Sequence, residues 1–187
     1  PEGLQCLDIF IMSKELLLRL VEECRRLDHY SFRGAVLRDM ADRLHIQTYV
    51  WDGYAAQIQT LAEYYTRSME LLNPSIRREL FPPERPIYTK ELNVSSTYVD
   101  PDGGCVNSLV ADGCTVEGTV ENSILFRGVS VEKGAVVKNC ILMQHTSVGM
   151  NARLECIITD KNVRITEDCT LVASERYPMA VEKNARV

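Results

Sequence analysis

The second half of the chain carries an internal repeat of short apolar blocks. Four blocks follow one another at nearly constant spacing: NSLV (107–110), NSIL (122–125), NCIL (139–142) and ECII (155–158). A second column of aliphatic residues recurs with almost the same spacing: Val116, Val131, Val148 and Ile165. Aliphatic residues also return about every sixth position, and small residues stand two places before several of them.

A six-residue period fits neither an α-helix nor a β-meander, but it is typical of a parallel β-helix with triangular coils. Three hexapeptides make one coil, and each coil buries its apolar side chains only by stacking on its neighbours. The repeat therefore predicts a left-handed parallel β-helix of four to five coils over residues 99–187. The second aliphatic column is predicted to stack inside it as core.

Residues 1–72 show a different pattern, which predicts mixed α/β structure. Apolar or alternating runs predict short strands at 7–12, 45–51 and 54–58. Ser13 is a candidate N-cap for a helix with apolar residues at helical spacing, and a second helix is predicted from Phe32 to Arg43. Thr60 and Glu63 form a capping-box pattern before a third helix that ends near Leu72.

Four prolines fall between the two regions, at positions 74, 82, 83 and 86. Proline fixes φ and biases the preceding residue towards extended backbone. Residues 73–98 are therefore predicted to be an extended linker on the surface.

Composition narrows the class of protein. The 187 residues carry 26 acidic and 21 basic side chains, and the net charge of −5 argues against nucleic acid or an anionic membrane as partner. No apolar run is long enough to cross a bilayer and no signal peptide is visible, which predicts a cytoplasmic protein. The seven cysteines form no C-x-x-C pair, so they are interpreted as buried, reduced thiols and no metal site is expected.

Several segments together resemble the C-terminal part of the glucose-1-phosphate adenylyltransferase family. They include the linker LFPPERPIYT (80–89), the block CTVEGTVENSILFRGVSVEKGAVVKNCILM (114–143), and the partly matching segments 6–10, 31–38 and 53–60. The resemblance implies a remnant of a Rossmann-like nucleotidyltransferase domain followed by the β-helix. It also implies that the chain begins partway through the catalytic domain, since no glycine-rich phosphate loop occurs in it.

The departures from the family motifs point away from catalysis. Cys6 and Asp8 stand at positions where the resemblance implies a Ser and a Gly that contact the sugar phosphate. A carboxylate at such a position would repel a phosphate. Ala35 replaces an acid of a second motif. Gln57 replaces an acid that the resemblance implies as a Mg²⁺ ligand, and an amide is a poor ligand for that ion. Mg²⁺ is thus expected only in catalytic members, with no cofactor in this chain.

Three functions remain open from the sequence. The first is a non-catalytic or regulatory subunit in glycogen biosynthesis, inactive by itself. The second is the C-terminal part of an active enzyme, and the third is a β-helix acyltransferase that would use His145. The resemblance implies tetramers, through self-association or with a catalytic paralogue, and an anionic sugar-phosphate effector for which Arg25–Arg26 and Arg77–Arg78 are candidates.

Overall fold

The computed structural model describes residues 6–89 and 93–187. The chain forms two compact units, of which the first ends at Ala55 and the second is Ala56–Val187. The sequence placed this boundary near residue 72. The structure assigns 56–72 to the unit of the β-helix, because a helix in that stretch packs against β-helix strands.

The first unit is built on helix α1, Lys14–Arg26, which Ser13 caps as predicted by accepting a hydrogen bond from the Leu16 amide at 3.2 Å. The predicted helix 32–43 is irregular: α2 spans Phe32–Gly34, a π-helical turn Ala35–Asp39, and a 3₁₀ turn Ala41–Arg43. The Met40 amide donates to the carbonyl of Ala35 at 3.0 Å, five residues back. This wider turn brings both of these buried residues to one core that α1 shares.

The three strands predicted in residues 7–58 are wrong. All three segments have irregular backbone, and Ile9, Ile11 and Tyr49 are largely exposed. A strand persists only with a hydrogen-bonded neighbour, and no ladder in the described chain includes these segments.

The second unit begins with α3, Leu61–Met69, whose predicted capping box is present, followed by a 3₁₀ turn at Glu70–Leu72. The predicted extended linker is wrong over helix α4, Pro74–Leu80. Asn73 caps α4 by accepting from the Ser75 amide at 2.9 Å, and proline at the first helical position loses no hydrogen bond. Of the linker 73–98, residues 90–92 lie outside the described chain.

Residues 98–181 form a parallel β-helix, which confirms the predicted hexapeptide-repeat architecture. Its strands build three five-stranded sheets in the orders β1-β4-β7-β10-β13, β14-β11-β8-β5-β2 and β15-β12-β9-β6-β3. The strands are β1 Tyr98–Val99, β2 Gly104–Val106, β3 Leu109–Val110, β4 Thr115–Val116, β5 Thr119–Glu121, β6 Ile124–Leu125, β7 Ser130–Val131, β8 Val136–Lys138, β9 Ile141–Leu142, β10 Ser147–Val148, β11 Arg153–Glu155, β12 Ile157–Thr159, β13 Arg164–Ile165, β14 Thr170–Val172 and β15 Met179–Val181.

The coil interior is apolar and in register from coil to coil. One column of directly paired residues is fully buried: Val116, Val131, Val148 and Ile165. Small residues occupy the buried corners, and their polar atoms are satisfied there. The Ser123 hydroxyl donates to the carbonyl of Glu121 at 2.7 Å and accepts from the Cys140 amide at 3.0 Å.

Each coil turns its corners at residues with positive φ. One column of such residues has φ between 44° and 56°: Asn107, Asn122, Asn139 and Cys156. Asparagine tolerates this conformation better than other residues with a side chain. Its amide also bridges coils, since Asn107 Nδ2 donates to Asn122 Oδ1 at 2.7 Å. In the described chain, no helix is both long and apolar enough to cross a membrane.

Candidate functional site

Cys6 and Asp8 lie in the first of the segments that resemble a family motif. Asp8 has φ 59°, and its Oδ2 lies 3.2 Å from Nη1 of Arg33, which the first turn of α2 positions. The Cys6 thiol lies 3.8 Å from the other carboxylate oxygen. The carboxylate is thus paired with Arg33, so this guanidinium is already engaged at the place where the family resemblance implies a sugar phosphate.

Ala35 takes part in packing alone. It is buried with Leu20, Val36 and Met40, and its methyl group can neither ligate a metal nor accept a hydrogen bond. The neighbouring Phe32 is half-buried and packs edge-on against Phe10, with ring centroids 5.8 Å apart. At this position the chain has kept an apolar scaffold without an acid.

Gln57 lies in the second unit, whereas Asp8 and Ala35 lie in the first. It is half-buried and comes just before the N-terminus of α3. The next carboxylate towards the C-terminus, that of Glu63, accepts from the amides of Gln59 and Thr60 at 2.8 and 2.9 Å. These backbone hydrogen bonds lower the pKa of Glu63, so this acid is committed to capping α3.

Metal-ligating side chains are not clustered in the described ranges: no group of three or more His, Cys, Asp or Glu could hold an ion there. All seven cysteines are free thiols. Four are buried as predicted, and burial raises the pKa of Cys140 to about 12, which keeps that thiol protonated. The expectation of burial is wrong for Cys6 and Cys105, which are exposed, and Cys169 is intermediate.

His145 is an exposed corner residue with φ 59°. Its ring lies over Gly128, where an added Cβ would be 2.6 Å from Nδ1. Among residues 6–89 and 93–187, no carboxylate forms an ion pair with it. A catalytic histidine needs a group that orients its ring, so this position does not support an acyltransferase.

Tyr65 is the contact that sequence reasoning missed. This residue of α3 is buried against Ile141 and Ile158, on the outer face of the sheet that contains β9 and β12. Its hydroxyl donates to the carbonyl of Asn139 at 2.8 Å. Burial, and then the neighbouring Cys156, raise its pKa well above the ordinary value of 10. The signal was present in the outward-facing Ile141 and Ile158, which a solvent-exposed face would not carry.

The two arginine pairs have different surroundings. Arg25 is paired with Glu22 at 2.8 Å, whereas Arg26 next to it has no ion pair with any residue that the structure describes. In α4, Arg77 donates from Nη1 to the carbonyl of Leu71, and Arg78 is exposed. Arg77 therefore closes the turn before α4, and Arg26 keeps a free guanidinium.

The stacked six-residue coils define the chain as a hexapeptide-repeat β-helix protein. The family model described as GlmU-like, C-terminal hexapeptide matches residues 94–175. Glycogen biosynthesis protein GlgD of Bacillus subtilis (strain 168) is 40% identical over 179 residues, which are 96% of this chain and 52% of that protein. GlgD of Geobacillus stearothermophilus is 38% identical over 131 residues, 70% of this chain and 38% of the relative.

Some of the similar proteins carry the name of an enzyme. Glucose-1-phosphate adenylyltransferase of Fervidobacterium nodosum is 31% identical over 126 residues, 67% of this chain and 30% of that protein. These similarities confirm the resemblance to the glucose-1-phosphate adenylyltransferase family and, over nearly the whole chain, to GlgD. The chain spans about half the length of the B. subtilis relative.

Proposed function

We propose that the chain acts as a non-catalytic, regulatory subunit beside a glucose-1-phosphate adenylyltransferase in glycogen biosynthesis. The observation that carries this proposal is the 40% identity to GlgD, and it is supported by the non-acidic residues at two positions where the family resemblance implies acids. Ala35 is buried as a packing residue, and Gln57 offers an amide where Mg²⁺ would need a carboxylate.

The Asp8–Arg33 ion pair supports the same reading. A phosphorylated sugar at this position would meet a carboxylate, and Arg33 beside it is already engaged at 3.2 Å. Nucleotidyl transfer depends on cations and amide groups directed at phosphates. A paired carboxylate works against that requirement.

A second function, the C-terminal part of an active enzyme, is favoured by the relatives that carry the name glucose-1-phosphate adenylyltransferase. The two functions differ in a coupled assay with glucose-1-phosphate, ATP and Mg²⁺. We expect no turnover above a no-protein control from this chain. Gln57→Asp restores one acid but not the positioning groups, so we expect no rescue. Turnover by either protein would contradict the proposal.

Regulation is tested by mixing this chain with a catalytic glucose-1-phosphate adenylyltransferase. We expect a mixed complex by light scattering, with tetramers as the predicted assembly, and a changed substrate affinity or rate of the catalytic partner. A subunit regulates only if it contacts two states of its partner differently. The proposal would be contradicted if no mixed complex formed and the kinetics of the catalytic partner stayed unchanged.

The setting that follows from this function is cytoplasmic, where the sugar phosphates of glycogen synthesis are expected. An anionic sugar-phosphate effector is part of the same proposal. The effector would change the coupling between the subunits and would itself need a cationic site on one of them.

A further inference from the structure

The outer face of the sheet β1-β4-β7-β10-β13, here called the ladder face, carries no buried side chain among the described residues. Residues 185–187 extend this sheet, because Arg186 pairs with Arg164 next to β13. Side chains alternate between the two sides of a strand, so those beside the buried aliphatic column point outward. The first outward column runs, coil by coil, through Tyr98, Thr115, Ser130, Ser147, Arg164 and Arg186.

A second outward column lies two positions further along the same strands. Its members are Asp100, Glu117, Glu132, Gly149 and Thr166. Acids therefore occupy the first three coils of the ladder face, and arginines occupy its other end. The Asp100 carboxylate accepts from the Tyr98 hydroxyl at 3.2 Å, and Glu132 is exposed. The charge of this face is thus separated along the axis of the β-helix.

The charges of the ladder face are not compensated within the chain. In the described part of the β-helix, the ion pairs are Glu121–Lys138 and Arg153–Glu155, and both lie on the sheet β14-β11-β8-β5-β2. The acids that follow β4 and β7 stand two to three strand spacings from Arg164, or about 10–14 Å. Like charges on neighbouring strands repel one another. Each end of the ladder face therefore gains from an opposite charge that its own chain does not provide.

We propose that two copies of this chain associate through their ladder faces, with the coils of the two copies in opposite order. A two-fold axis parallel to the strands, midway between β7 and β10, places β4 of one copy opposite β13 of the other. Glu117 and Arg164 of the two copies are then offset by two residues along the strand, about 7 Å, which the long arginine side chain spans. The symmetry produces this contact twice.

Small residues in the middle of the ladder face permit close approach. Ser130 of one copy meets Ser147 of the other beside the axis, and Gly149 adds no side chain. The face measures about 24 Å by about 13 Å, so two copies bury about 600 Å² in total. Stable complexes bury about 1,200–2,000 Å². The dimer is therefore weak and depends mainly on its opposite charges. It is a property of this chain alone and does not depend on the regulatory function proposed above.

The test is sedimentation velocity of the 187-residue chain over a range of concentrations. We expect a dimer that forms with rising concentration at about 0.05 M salt and weakens at about 0.5 M salt, because salt screens exposed charges. Arg164→Glu with Arg186→Glu makes the ladder face acidic, and Glu117→Lys with Glu132→Lys makes it mainly basic. Each variant alone should weaken the dimer at least about tenfold, because like charges then face each other.

A mixture of the two variants is the sharpest measurement. An acidic face then meets a basic face, so a mixed dimer should form at least as readily as the wild-type dimer. A fluorescent label on the acidic variant lets its sedimentation report the mixed dimer. The matched control is Arg78→Glu with Arg85→Glu, which makes the same change in charge at exposed positions outside the β-helix. We expect it to change the dissociation constant less than about threefold.

A wild-type chain that stays monomeric at low salt would overturn the proposal. Reversed variants that self-associate as strongly as wild type would place the contact on another face, and equal weakening in the control would indicate a bulk charge effect. Failure of the two variants to combine, when circular dichroism shows both folded, would exclude the antiparallel pairing. If a reversed variant unfolds, Arg164→Gln with Arg186→Gln replaces it, and undiminished association of that variant would overturn the proposal as well.

Discussion

The β-helix buries its short apolar segments, whereas the first unit leaves similar apolar segments exposed. Val148 is fully buried inside a coil, while Ile11 of the predicted strand 7–12 has 98% of its surface exposed. The segments differ in where their pairing partners lie. A coil strand finds its neighbour one coil further along the chain, as Ser130 and Val131 find Ser147 and Val148. A strand of an open sheet depends on a partner that the local sequence does not supply.

The largest effect is expected from Val148→Asp, because this change puts an unpaired carboxylate into the centre of the coil stack. We expect a loss of about 3–5 kcal/mol in the free energy of unfolding, measured by urea denaturation followed by circular dichroism. Ser147→Asp is the matched control, since its side chain leaves the same strand on the outer face. A similar loss in both variants would contradict the buried column.

Gly118→Ala tests how closely successive coils approach. A Cβ at Gly118 would collide with the carbonyl of Ala135 and lie 2.7 Å from that of Glu132, and backbone cannot move aside easily. We expect a cost of about 1–3 kcal/mol by the same denaturation. Gly104→Ala meets no atom within 4 Å and should cost far less. Equal stability of the two variants would refute the close stacking at this corner.

Tyr65→Phe tests how α3 is fastened to the β-helix. The change leaves the Asn139 carbonyl without this donor, and we expect a loss of about 1 kcal/mol and weaker hydrogen-exchange protection across 61–69. Tyr64→Phe is the control, because the neighbouring hydroxyl makes no hydrogen bond with the described residues. Unaltered protection in Tyr65→Phe would show that the hydroxyl does not hold the helix.

The pH dependence of that contact follows from the raised pKa of Tyr65. The folded pKa lies above the unfolded value near 10, so the stabilisation is full below pH 10 and is lost as pH rises further. We expect the stability difference between wild type and Tyr65→Phe to shrink above pH 10. A constant difference from pH 8 to pH 11 would contradict the burial of this phenol.

The smallest effect is expected from Ile11→Asp. Because the side chain is exposed, the free energy of unfolding of the isolated chain should change by less than about 0.5 kcal/mol. The contrast with Val148→Asp is the direct measure of how differently the two regions use aliphatic residues. A loss as large as that of Val148→Asp would mean that the segment 7–12 is buried in solution.

The sequence alone determined the β-helix, its core column and the caps at Ser13 and Thr60. The caps depend on residues close in sequence. The β-helix depends on a repeat whose spacing fixes which residues of successive coils pair. The sequence alone also shows that residues 35 and 57 are not acids, whereas their place in the family's catalytic motifs stays a prediction.

Tertiary structure alone decided the rest. The position of α3 with the β-helix depends on Tyr65 meeting Ile141 and Ile158, contacts between segments far apart in the chain that leave no local pattern. The failure of the strands at 7–12 and 45–51 has the same origin. Alternating apolar residues indicate that a segment is able to pair in a sheet. Pairing also needs a neighbouring strand, and the tertiary fold decides whether one is present.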